Sequence, residues 1–258
     1  MKKRIVTIAL VVALVALCFG ATLAYFQDTD VQENVFTIGN IKIDLFEDFN
    51  SDNLPLLPAV GTVDPVTSVS VLKNTLEKEV YVENTGDNKA YVRIHIAVPD
   101  FSLVNGTKTN VIHFICNDKT TVEGAWSWAK TAADKNYQGL AAANWNRYST
   151  EINGIPYKVY VVTYETALKN GDVTLDAIHK VYMDSVISQD DIAAWNNAYG
   201  EGNWAKAYIV AEAIQADGFE NAHQALDVGF GVPGEYDVDF TAASEGNSFV
   251  ERDSLDGN

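Results

Sequence analysis

From Val35 onward, apolar and polar residues alternate with the period of two that marks strands with one buried face. In Val35-Phe36-Thr37-Ile38-Gly39-Asn40-Ile41-Lys42-Ile43-Asp44-Leu45, Phe36 and Ile38 share one parity and Ile41, Ile43 and Leu45 share the other. The flip falls at Gly39-Asn40, where a bulge or kink would keep both halves on one core. Val69 with Val71, and Val80 with Val82, mark further strands. Asn84-Thr85-Gly86-Asp87-Asn88 is turn chemistry between apolar runs. Ala90 to Val98 alternates again, with Val92, Ile94, Ile96 and Val98 on the buried side and Pro99 closing the strand. Tyr157 to Tyr164 is apolar at nearly every position, which predicts a strand covered on both faces. In Tyr208 to Ala216, Ile209, Ala211, Ala213 and Gln215 alternate against Tyr208, Val210, Glu212 and Ile214, which reads as one more strand.

Two helices interrupt this pattern. Ser188 caps a helix through Ile192 and Trp195, with Asp190 and Asp191 in its first turn and Gly200 closing it. A short helix follows Gly218 at Asn221 to Leu226. Residues 130–150, rich in Ala and Asn around Trp145, read as a partly helical insertion. Strands at short intervals, with helices confined to insertions, predict an all-β, antiparallel sandwich. The expected organisation is a leader over 1–24, an N-terminal segment over 25–40, and a sandwich domain over 41–258 with insertions around 130–150 and 188–200.

The leader changes the compartment. Lys2, Lys3 and Arg4 precede an apolar run from Ile5 to Phe19, and Gly20 to Ala24 supplies small residues. These are the parts of a secretory signal peptide, cut between Ala24 and Tyr25, and the run is short of the ~20 residues that span a bilayer. The product is expected outside the cell, in a matrix or at the cell surface, with no stable membrane insertion after cleavage. Cys18 follows Leu17, whereas lipoprotein processing wants a small residue there. Cleavage removes three bases and no acid, leaving 15 basic and 35 acidic residues and a net charge of -20. Such acidity excludes nucleic acid as a main partner, because phosphate contacts need clustered Lys and Arg. Repulsion between subunits of this charge is expected to make any self-assembly favour salt, divalent cations or lowered pH. Cys116 is then the one cysteine left, in apolar surroundings that predict a buried thiol.

Searches for chemistry return little. The four histidines, His95, His113, His179 and His223, show no zinc-helix spacing, and no nucleophile elbow or phosphate loop occurs. His113 and Cys116 stand three apart on a strand and point to opposite faces, against a catalytic dyad. The expectation is no catalytic residue, no metal and no cofactor. Asp48, Asn50 and Asp52 resemble the opening of a calcium loop, but the sixth position is Asn53 and the twelfth Ala59. A solvated turn accounts for them better.

Thr22-Leu23-Ala24-Tyr25-Phe26-Gln27-Asp28, followed by Phe36-Thr37-Ile38-Gly39-Asn40-Ile41-Lys42-Ile43-Asp44-Leu45, resembles the start of the camelysin/TasA-like family of secreted Gram-positive proteins, whose leaders are of the type cut by the SipW signal peptidase. Val82 to Ile94 resembles that family's "NTG…YVR" hairpin, and Ala213 to Phe219 its "AxQADGF" stretch. The resemblance implies a jelly-roll-like sandwich and a subunit of extracellular biofilm matrix fibres. It also implies that the segment after the cleavage site completes a sheet in a neighbouring subunit. Partners would be further copies of the chain, the SipW-type peptidase and accessory matrix proteins. Some relatives have been described as metalloproteases; this chain lacks a zinc motif.

The segment itself fits that role. Tyr25 to Asn34 has no Gly or Pro, and places Tyr25, Phe26 and Val31 among polar residues, with Val35 leading into the next strand. Backbone pairing to a free edge needs little more, and a head-to-tail contact of this kind propagates. A disordered tail is the plain alternative. Two further functions stay open: a secreted metalloprotease, and a monomeric adhesin or carbohydrate-binding module using Trp126 and Trp128, whose rings would share one strand face.

Overall fold

Alternation becomes ladder pairing in the computed structural model, which describes residues 41–49, 58–63, 70–102, 110–115, 125–134, 144–240 and 249–250. The strands are β1 (Ile43–Phe49), β2 (Val60–Val63), β3 (Ser70–Lys73), β4 (Leu76–Asn84), β5 (Ala90–Pro99), β6 (Ile112–Ile115), β7 (Trp126–Ser127), β8 (Arg147–Ile152), β9 (Ile155–Leu168), β10 (Ile178–Met183), β11 (Ala207–Gln215) and β12 (Phe249–Val250). The helices are α1 (Gln189–Tyr199) and α2 (Ala222–Phe230). One sheet has the order β1-β4-β10-β6, and a second runs β12-β11-β5-β9-β7 with β8 also on β9. β2 and β3 form a separate antiparallel pair. All pairings are antiparallel except β11 with β12. The fold is thus an all-β, antiparallel sandwich with two helices added to it.

One core lies between the sheets. Ile43, Leu45, Val80, Val82, Ile178 and Val181 come from the first sheet, and Val92, Ile94, Ile96, Val98, Val162 and Ile209 from the second. These are the inward parities of their strands, except that β10 shifts at His179-Lys180 so that Ile178 and Val181 both face the core, and β5 keeps the predicted set. A second apolar cluster covers the other face of the larger sheet: Ala97, Tyr157, Val159, Val161, Val210, Ile152 and Phe240. It explains why β9 reads as apolar on successive positions, since both of its faces are packed.

Asn84 to Asn88 does not make a hairpin. β4 and β5 belong to different sheets, so this turn is a corner between layers. The fully buried Asn84 holds it, its amide donating to the carbonyls of Asn88 (2.8 Å) and Leu168 (2.9 Å) and its oxygen accepting from the Gly86 N–H at 3.0 Å. The real hairpin is β8–β9, closed by Asn153 (φ 54°) and Gly154 (φ 77°) between the paired Ile152 and Ile155. Two positive φ angles match the twist of the flanking strands. β8 therefore replaces part of the expected insertion with strand, while a 3-10 turn at Ala132–Asp134 supplies its helical part.

α1 carries the predicted Ser188 cap, which Asp191 completes into a capping box: the Ser188 hydroxyl accepts from the Asp191 N–H at 3.2 Å, and the Asp191 carboxylate accepts from the Ser188 N–H at 2.9 Å. Its buried Trp195 stacks on Phe101 with centroids 4.3 Å apart. α2, capped by Asn221, runs further than expected, to Phe230, and is not an insertion at the periphery. It packs Ala222, Ala225 and Leu226 into the protein and covers the outer face of the larger sheet.

Candidate assembly edge

A sheet edge is a row of backbone donors and acceptors awaiting a partner. β5 pairs one side of β11 along Tyr208 to Gln215. On its other side β12 reaches only Ala207 and Tyr208. From Ile209 to Gln215 that outer side has no strand partner among the described residues. The open stretch is about 23 Å long at about 3.3 Å per residue. β1 is likewise an outer strand, paired among the described residues only with β4.

The two open edges share one flank. Phe114 of β6 stacks on Trp128 at 5.7 Å and meets Tyr160 of β9 edge-on at 5.6 Å. The Trp126 indole N–H of β7 donates to the Leu175 carbonyl, just before β10, at 2.7 Å. These contacts set the β6–β10 side of one sheet over the β7–β9 side of the other. By strand order, β1 and β11 then fall on the opposite flank.

β11 is braced by a buried polar network on the side covered by α2. Arg93 and Glu212 face each other across β5 and β11, with Nε to Oε2 at 2.5 Å. The Arg93 Nη2 donates to the Gly231 carbonyl at 3.0 Å and to the Tyr236 hydroxyl at 2.6 Å, and Nη1 reaches Asp227 at 3.1 Å. The guanidinium also lies over the rings of Phe230 (5.6 Å) and Tyr236 (5.4 Å). The Tyr236 hydroxyl donates to Glu212 at 2.8 Å. His95, fully buried, sits 3.1 Å from Glu212 through Nε2 and 3.1 Å from the Tyr148 hydroxyl through Nδ1. Since Glu212 only accepts, Nε2 carries the proton and Nδ1 accepts from Tyr148.

The electrostatics agree with that bonding. Burial holds His95 below the ordinary imidazole value, against the pull of Glu212. Burial alone would raise Glu212; the hydrogen bond from His95 and the charge and hydrogen bond of Arg93 outweigh it and hold the carboxyl down to about 2. Burial pushes the Tyr148 and Tyr236 hydroxyls up, so both stay protonated donors. Gly234, at φ 89°, lets the chain after α2 lie against Tyr148, where a Cβ would come within 2.8 Å of the Tyr148 Cβ. A His–Glu pair flanked by tyrosines has the composition of an acid–base site. Here, however, both imidazole nitrogens are occupied and the ring is shut away from solvent. The network instead ties β5, β8, β11, α2 and the 231–236 segment together.

None of these six side chains, Arg93, His95, Tyr148, Glu212, Asp227 and Tyr236, stood out from the sequence. Arg93 and His95 occupy the strand parity that ordinarily faces water. The other histidines also sit beside acids: His113 is 2.9 Å from Asp184, and His223 is 3.1 Å from Glu165. His179 lies 3.6 Å from Asp176, and with Glu79 these two form the group among the described residues best disposed to hold a metal. Of the two indoles read as a carbohydrate-stacking pair, Trp126 is buried in the sandwich core and Trp128, partly buried, packs against it.

The leader 1–24, the cleavage pair Ala24 and Tyr25, the donor residues Tyr25, Phe26, Val31 and Val35, the kink at Gly39-Asn40 and Cys116 lie outside the described residues. So do Asn50 and Asp52; Asp48 falls on β1, with its backbone opposite Glu79. No described helix is long and apolar enough to cross a membrane. Compared with family models, curated proteins and solved structures, the chain finds no match in any of the three.

Proposed function

We propose that this chain is the non-enzymatic, secreted structural subunit of extracellular matrix fibres. After a SipW-type peptidase removes 1–24, residues 25–34 of one molecule add as a strand to the outer edge of β11 in the next. The observation that carries the reading is that edge: Ile209 to Gln215 is paired to β5 on one side and has no strand on the other among the described residues. An added strand gains main-chain hydrogen bonds along its length, and side-chain fit sets its register. The contact joins two different surfaces, so it leaves a free donor at one end and a free acceptor at the other and continues into a filament. The family resemblance of the leader junction, of Val82 to Ile94 and of Ala213 to Phe219 supports the same reading, and accessory matrix proteins would then anchor or initiate the fibre.

The test is electron microscopy of the mature protein with its native N-terminus free, beside a form lacking Tyr25 to Asn34. The account expects filaments from the first and a folded monomer from the second. Filaments from the truncated form would refute the donor role.

A further inference from the structure

We propose that Glu79, Asp176 and His179 form a binding site for a divalent metal ion of the zinc class on the outer face of the β1-β4-β10-β6 sheet. The inference is independent of fibre formation. Each residue offers one ligand atom, and the three atoms lie within 4.8 Å of one another. A metal bound at about 2.0–2.2 Å from each ligand draws such atoms to roughly 3.5 Å apart. Rotation of three partly exposed side chains covers that difference without moving the backbone.

The sheet itself brings the ligands together. β10 meets β4 with Ile178 opposite Val80, but Lys180 opposite Glu77, so β4 carries one extra residue at this point. Lys78 and Glu79 both stand across from His179. Lys78 is fully buried and pairs with Glu47, while Glu79 is exposed. The bulge thus leaves Glu79 as the side chain that meets His179 on the outer face. Asp176, two residues before β10, completes the group from the side, 3.6 Å from His179 Nδ1.

The donor set selects the ion. One imidazole nitrogen and two carboxylate oxygens suit zinc and its neighbours in the first transition row, whereas calcium and magnesium favour shells of oxygen alone. Three protein ligands on an accessible face leave a coordination position for water, the arrangement of open rather than closed zinc sites. The outward parity of the surrounding strands adds Asp44, Glu77 and Glu83 against Lys180, which stands opposite Glu77, so the face keeps an excess of acids around the group. Protons compete with the metal for the imidazole, so affinity falls on acidification.

The experiment is calorimetric titration of the full mature protein, freed of metal, with zinc, and separately with calcium and magnesium. Cobalt(II) absorption serves as a second readout of nitrogen and oxygen ligation. The proposal expects one zinc per chain, weaker binding of calcium and magnesium, and a loss of at least roughly tenfold in zinc affinity in His179→Ala and in Glu79→Gln. His113→Ala, which removes another histidine from the same sheet, should bind zinc as the parent does. Glu79→Gln, nearly isosteric on an exposed position, decides the matter if His179→Ala does not fold. No stoichiometric zinc binding, equal affinity for calcium, or unchanged zinc binding in folded Glu79→Gln would each overturn the assignment.

Discussion

Replacing Glu212 by Gln tests how much of the protein's stability depends on the polar network behind β11. The change keeps the side chain's size and removes its charge. Glu212 takes hydrogen bonds from Arg93 at 2.5 Å, Tyr236 at 2.8 Å and His95 at 3.1 Å, while Arg93 is only 1% exposed. With an amide there, the Arg93 guanidinium stays buried and its nearest remaining carboxylate is Asp227, 34% exposed. The amide also points its own N–H groups at three donors. Removing one partner of a buried pair costs about 3–5 kcal/mol; the retained oxygen places this change near the lower end, about 3 kcal/mol. In urea, with a slope of about 2 kcal/mol per M, the midpoint should fall by about 1.5 M without a change of slope. Tryptophan fluorescence suits the measurement because Trp126 and Trp195 are buried in the core. Asp227→Asn, at the solvent end of the same guanidinium, should cost less than about 1 kcal/mol. If Glu212→Gln and Asp227→Asn were equally mild, the network would not be holding the sheet, and the reasoning from burial would be wrong.

Two further outcomes follow from the same geometry. Burial keeps His95 neutral in the folded chain, while the unfolded chain binds a proton near the ordinary value of 6.5; stability is therefore full above that pH and declines below it, and Glu212 adds a second decline from its ordinary 4.5 toward about 2. Urea midpoints at pH 7 and pH 5 should differ more for the parent than for His95→Gln, and parallel changes would contradict the assignment. Ser188→Ala removes the hydroxyl that accepts from the Asp191 N–H and should cost about 1 kcal/mol. A midpoint equal to the parent's would mean that α1 draws its stability from Trp195 rather than from its cap.

The legible parts of the fold are those set by neighbours in the chain. The inward parity of β5, the two packed faces of β9 and the alternation of β11 all survive as read, and so do Ser188 and Gly200 at the ends of α1. What failed depended on distant segments. Turn chemistry at Asn84 to Asn88 is the same for a hairpin and for a corner between sheets; the choice is made by β1, β10, β9 and β11, which pair with the strands on either side. The Asn153-Gly154 pair was a sufficient hairpin signal, obscured by the polar text around it. Arg93 and His95 are hidden because alternation separates the faces of a strand without saying what covers the second one. Here α2 and the chain through Tyr236 cover it. Glu79, Asp176 and His179 show no sequence spacing of a metal motif, since only a strand pairing with one extra residue brings them together.

Hydrogen exchange of the assembled mature protein against its monomer tests strand addition most directly, because amide protection reports which backbone groups gain partners. The account predicts new protection on the outward amides of Ile209 to Gln215, with Ile43 to Phe49 and Ile112 to Ile115 unchanged. Protection appearing on β1 or β6 instead, or filaments in which the amides of β11 exchange as they do in the monomer, would contradict it.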